Sequence, residues 1–116
     1  MFNIYQITHR PSGISAVDFK VFVQGSVITI NDDVFDFSFM EKGSTMPREF
    51  IEKERFAADV ECDDDGVINV TLVTPIGPDA TQDEIHPAAL LGKKYGTVID
   101  IHLPAIDVSQ MEVANG

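Results

Sequence analysis

The chain predicts a mainly β fold: an antiparallel meander plus a second hairpin, forming a small sandwich or half-barrel with one short helix. Three observations carry that prediction. Runs between Val17 and Phe39 alternate apolar and polar residues and are punctuated by turn residues, the period-two signature of half-buried strands. A second alternating pair flanks Asp64-Asp65-Gly66. Helix-start chemistry is found at Pro47 to Arg55, where Pro47 suits a first turn and Glu49 lies near the positive end of the helix dipole. Residues 1–104 read as one β-rich domain, and residues 105–116 as a C-terminal tail.

In chain order, Phe2 to Thr8 starts an alternation at Phe2 and Ile4 and then shifts phase, which predicts a short edge strand. Arg10-Pro11-Ser12-Gly13 is turn chemistry. A two-residue loop at Gln24-Gly25 then sets Val21 opposite Ile28 and Phe19 opposite Ile30, with glycine in the second loop position. The next loop is Asn31-Asp32 or Asp32-Asp33, residues that tolerate turn conformations. Either choice gathers Val17, Phe19, Val21, Val23, Ile28, Ile30, Phe35, Phe37 and Phe39 on one core face. The other face holds Asp18, Lys20, Thr29, Asp36 and Ser38, with Phe22 and Val27 as apolar intruders.

Glu41 to Thr45 is a polar loop. The helix from Pro47 to Arg55, capped by Thr45 or Ser44, anchors through Phe50 and Ile51. In the second hairpin, a three-residue turn at Asp64-Asp65-Gly66 pairs Asp63 with Val67, Cys62 with Ile68, Val60 with Val70 and Ala58 with Leu72. Asp59, Glu61, Asn69 and Thr71 then form its polar face. Thr74 to Ala89, with Pro75, Pro78 and Pro87, reads as an irregular loop or arm. Leu90-Leu91 and a Gly92-Lys93-Lys94 turn precede a last strand, Tyr95 to His102, closed by Pro104. The tail alternates through Ile106, Val108, Met111 and Val113, the pattern of an extra strand pairing with a neighbouring copy or of a frayed end.

A chain of 116 residues is long enough for a core of its own, and eight Phe supply large apolar side chains. Nineteen acidic against eight basic residues give a net charge of −11. That balance argues against nucleic acid and against an anionic membrane surface, both of which call for Lys and Arg. No apolar run approaches a membrane span, and the N-terminus carries no signal-peptide pattern. Cys62 is the sole cysteine, so an internal disulfide is impossible and a reducing cytoplasm is expected.

The run Glu61 to Gly66 superficially echoes a calcium-binding loop, but its twelfth position is Leu72, which has no carboxylate. An Asp-rich hairpin tip at Asp63 to Asp65 is the reading adopted, with weak Ca²⁺ binding left open. His9, His86 and His102 lie in separate segments, unlike zinc ligands. Cys62 faces inward as a small hydrophobe. Neither a phosphate-cradling glycine loop nor a nucleophile elbow is present. No catalytic, cofactor-binding or metal residue is therefore assigned, no cofactor is expected, and the chain reads as a non-enzyme. The candidate interaction patch is Phe22 and Val27 with Lys20 and Thr29. The bland alternative is that the helix or the Pro-rich arm covers it.

The run Gly25-Ser26-Val27-Ile28-Thr29-Ile30-Asn31-Asp32-Asp33-Val34-Phe35-Asp36-Phe37-Ser38 resembles a family of small uncharacterised phage and prophage proteins with an Ile-Asn turn before a Phe-Asp-Phe-Ser strand. The resemblance continues through Gly43-Ser44-Thr45-Met46-Pro47, Phe56 to Glu61, Asp65-Gly66-Val67 with Val70-Thr71-Leu72, and Pro75 to Pro78, covering roughly residues 20 to 80. Departures are Asp32 in place of glycine and Phe39-Met40 in place of Pro-Leu. The resemblance implies the tail region of a bacteriophage or prophage, with shared positions at turns and core strands rather than at a catalytic site.

The expected function is that of a phage tail-region structural or assembly-accessory protein in virion assembly. It would act in the host bacterial cytoplasm or in the virion tail, with tail proteins or its own copies as partners. The alternative is an acidic inhibitor of host defence that mimics DNA. Against it, the acids cluster at turns (Asp32, Asp33, Asp63, Asp64, Asp65) instead of forming rows. A glycan-binding module ranks last, since only Tyr5 and Tyr95 are available for stacking on sugars.

Overall fold

The structure, a computed structural model, describes residues 1–10, 16–51, 55–77 and 80–105. Among these the chain is mainly β, as expected. Its strands are β1 (Phe2–His9), β2 (Val17–Gln24), β3 (Val27–Ile30), β4 (Asp33–Asp36), β5 (Thr45–Met46), β6 (Val60–Cys62), β7 (Ile68–Pro75), β8 (Leu90–Lys93) and β9 (Tyr95–Leu103). A single turn of α-helix, α1, spans Gln82–Ile85. One sheet runs β5-β6-β7-β1-β8 and the other β4-β3-β2-β9, and neither closes into a barrel.

The two sheets are joined by a shared apolar interior. Phe2, Ile4, Val60, Cys62, Ile68, Val70 and Leu72 come from the first sheet, and Phe19, Val21, Val23, Ile28, Ile30 and Ile99 from the second. Phe37, just past β4, meets Phe2 and Phe56 edge-on with ring centroids 6.4 and 6.0 Å apart. Phe35 meets Phe56 at 5.0 Å. These T-shaped contacts suit the aromatic quadrupole and pin one sheet to the other.

The meander keeps its predicted faces but not its first register. Val23 stands opposite Ile28 and Val21 opposite Ile30, so the loop is Gly25-Ser26 and not Gln24-Gly25. Gly25 has φ +62° and thus fills the first loop position, where a II′ turn requires glycine. The second loop is Asn31-Asp32, the first of the two expected alternatives, with Asn31 at φ 55°. Asn31 is further held by its side chain, whose Oδ1 accepts from the Lys20 amide while Nδ2 donates to the Asp18 carbonyl. β4 stops at Asp36 because that carboxylate accepts from the Ser38 amide and turns the chain. Phe39, expected on the core face, is consequently 61% exposed.

β1 is not an edge strand. It lies between β7, to which it is parallel from Phe2↔Ile68 to His9↔Pro75, and β8, to which it is antiparallel. Nor does it change phase: Phe2 and Ile4 point inward, and Ile7 stays on the outer face, exposed. In the second hairpin the three-residue turn forms as expected, with Cys62 opposite Ile68 and Gly66 at φ +82°. The Asp63 carboxylate accepts from the Asp65 and Val67 amides and so closes the tip. Farther down, Phe56 rather than Ala58 faces Leu72, and the bulkier ring takes the core position.

The helix is elsewhere than expected. Arg48–Phe50 makes one 3₁₀ turn after Pro47, with no side-chain cap from Thr45 or Ser44; the Arg48 amide donates to the Asp59 carboxylate instead. Phe50 is 75% exposed and does not anchor the turn, whereas Ile51 packs on the core. Residues 52–54 of the expected helix lie outside the described residues. The α-helical turn falls in the stretch read as irregular, where Thr81 and Glu84 form a reciprocal capping box. Gly92-Lys93 belongs to β8 instead of a turn, and Gly92 at φ +66° accommodates an irregularity against β1. The tail beyond residue 105, and with it the expected extra strand, is outside the described residues, as are residues 11–15 of the first turn.

Candidate functional site: an apolar strip on an open sheet face

The outer face of the β4-β3-β2-β9 sheet is built by alternation. Phe22 on β2 stands opposite Thr29 on β3 and Thr97 on β9, while Thr29 in turn stands opposite Val34 on β4. Val27 lies opposite Gln24 and Asp36. Directly opposed residues in antiparallel strands share a face, so Phe22, Val27, Thr29 and Val34 form one strip across three strands. Lys20 is exposed beside it, opposite Asp100. The structure therefore brings the expected patch residues together.

Two members were absent from the expected patch. Val34 shares parity with Asp36 and Ser38, so the alternation already placed it on this face. Tyr95 was hidden by a register irregularity in β9: Phe22 faces Thr97, but Val21 faces Ile99, leaving Val98 as an extra residue. The bulge sends Tyr95 outward, where its ring meets Phe22 edge-on with centroids 5.2 Å apart. Tyr95 is 72% and Val34 65% exposed. Phe22, Val27 and Thr29 are half-buried by their neighbours. The described helical turn docks elsewhere, with the Thr8 hydroxyl donating to the Ile85 carbonyl at 2.6 Å on the end of β1.

At its β4 end the strip meets a groove of about 320 Å³ lined by Val34, Phe35, Asp36, Phe37, Phe39, Met46, Phe50 and Ile51. The Asp36 carboxyl is lowered below its ordinary value, chiefly by hydrogen bonding to the Ser38 side chain and then to its amide, so the groove keeps a negative charge.

At the β2–β9 end His102 sits between two carboxylates, Nδ1 2.8 Å from Asp18 and Nε2 2.7 Å from Asp100. Once the imidazole is protonated, both ring nitrogens donate to these carboxylates. Its pKa is raised, first by the hydrogen bond to Asp18 and next by the charge of Asp100. His86 ends the helical turn, and His9 and Asp18 line a separate groove with Asn31 and Arg55. Arg55 is engaged with Asp33 at 2.8 Å. Cys62 is a buried free thiol. Among the described residues no group of three or more His, Cys, Asp or Glu is placed to hold a metal ion, and no helix is long and apolar enough to cross a membrane.

No family model, curated protein or solved structure matches this chain.

Proposed function

We propose that this chain is a non-enzymatic tail-region protein of a phage or prophage, a structural component or assembly accessory that works through protein–protein contacts. The observation that carries the proposal is the apolar strip across the sheet's outer face, in which exposed Val34 and Tyr95 continue half-buried Phe22 and Val27. Contiguous exposed apolar surface marks interaction sites on soluble proteins. The phage setting rests on the resemblance over roughly residues 20 to 80. Partners are other tail proteins or further copies of the chain, met in the host bacterial cytoplasm during assembly.

The test is capture by the tagged chain from a lysate of the induced host, washed at low and then high salt. Tail proteins that survive the high-salt wash, and are lost with a Phe22→Ser/Tyr95→Ser variant, support the proposal. A host DNA-binding enzyme released by salt overturns it in favour of the DNA mimic, because a charge-driven contact is screened.

A further inference from the structure

The β4 edge combines three features the strip does not have. The first is an open hydrogen-bonding ladder. The Phe37 amide donates to the Ser26 carbonyl at 2.9 Å, which fixes the alternation of the β3–β4 ladder. Asp33, Phe35 and Phe37 thus turn their backbone groups toward β3, while the N–H and C=O of Val34 and Asp36 turn outward. β4 is the last strand of its sheet, so among the described residues no strand lies beside those outward groups.

The second feature is the adjoining apolar groove, whose walls include Val34, Phe39 and Phe50, each more than 60% exposed. An added strand presents side chains to alternate faces, and such a groove receives them as specificity pockets. The third is charge. Asp36 lines the groove, no Lys or Arg is among the described residues that line it, and the cations next to it in the chain are engaged: Arg55 pairs with Asp33, and Arg48, in the turn that carries Phe50, is not free.

We propose that the β4 edge is a strand-addition site for an extended segment of another protein, one carrying apolar side chains interspersed with Lys or Arg. This rests on the reading that the chain works through protein contacts, and it names the edge and the partner's chemistry. Charge selects that occupant over two others. A second copy would bring another Asp33 and Asp36 beside the first pair. The chain's own residues 106–116 include Asp107 and Glu112 and no Lys or Arg, so they offer nothing to neutralise Asp36.

The experiment is an NMR titration of the full-length isotope-labelled chain with short synthetic peptides. One alternates lysine and valine, one alternates lysine and phenylalanine, and a control has glutamate in place of lysine. Expected are shifts confined to the groove, with amide exchange slowed at Val34 and Asp36, for the lysine peptides alone. Val34→Pro deletes an outward N–H without breaking the β3–β4 ladder, and it weakens binding by about tenfold or more, as expected for loss of a main-chain hydrogen bond. Phe50→Ser weakens binding independently, at an exposed wall residue whose replacement spares the core. The proposal is overturned by no binding from either lysine peptide, by equal binding of the glutamate control, or by shifts at Phe22 and Val27 instead. Slowed exchange at Val34 and Asp36 without any peptide, whether in a dimer or lost on deleting residues 106–116, overturns it too. Because Phe22→Ser/Tyr95→Ser leaves the groove walls intact, that variant still binds peptide, and failure of the strip as a docking surface is separable from failure of the edge.

Discussion

At the scale of single residues, the polar groups are more informative than the apolar ones. The Thr74 hydroxyl is buried, and its oxygen finds no hydrogen-bond partner among the described residues. A buried hydroxyl without a partner loses its water and gains nothing in exchange. Thr74→Val, nearly equal in shape, is therefore expected to stabilise the fold by about 1 kcal/mol, read from chemical denaturation. His102 behaves in the opposite sense, since both its nitrogens are engaged by carboxylates. Its pKa in the folded chain is raised above the ordinary 6.5. The pairing therefore contributes in full below that value and is lost as pH rises through the folded pKa. An NMR titration of the imidazole should show the upward displacement. Asp18→Asn should reduce it more than Asp100→Asn, because the Asp18 hydrogen bond is its largest cause. A His102→Gln chain should lack the corresponding step in its stability–pH curve.

At the scale of elements, turn chemistry was legible and turn position was less so. Glycine near residue 25 announced a two-residue loop, yet glycine fits either loop position depending on turn type. Moving the loop by one residue moves each partner by two, which leaves the paired side chains on their predicted faces; hence the core list from Phe19 to Phe37 survived the register error. Gly25 has φ +62° and open space where a Cβ would be, so a substitution there meets backbone strain and not crowding. Gly25→Ala is expected to cost roughly 1–2 kcal/mol, because a side chain at the first position of a II′ turn is strained. A thermal melt of the variant checks the loss. The helical turn shows the converse case. Thr81-Gln82-Asp83-Glu84 carries a capping-box pattern, but the prolines around it masked the signal. Pro47 and Glu49 fit a helix start, yet the Arg48 amide bonds to Asp59, 11 residues farther along and outside the expected helix, and one 3₁₀ turn results.

At the scale of the whole molecule, three aromatic rings decide how the sheets meet. Phe56 is fully buried, bridges to Leu72 of the first sheet, and stacks edge-on against Phe35 and Phe37 of the second. Phe56→Ala removes that junction and leaves a cavity between the sheets. A loss of ~3–5 kcal/mol is expected, measured by denaturant unfolding. The open β4 edge and the apolar strip share Val34, so the surface proposed for partners lies on one side of the second sheet.

The sequence by itself determined the β class, the inward set from Phe19 to Phe37, the Asp-closed tip of the second hairpin and the Phe22–Val27 part of the candidate site. These follow from period-two alternation and local turn chemistry, which act between residues near in sequence. Only the tertiary structure decided that β1 lies inside its sheet and parallel to β7, because pairing over so long a separation leaves no local pattern. It also decided that Tyr95 joins Phe22, because one extra residue in β9 reverses which face every earlier side chain takes.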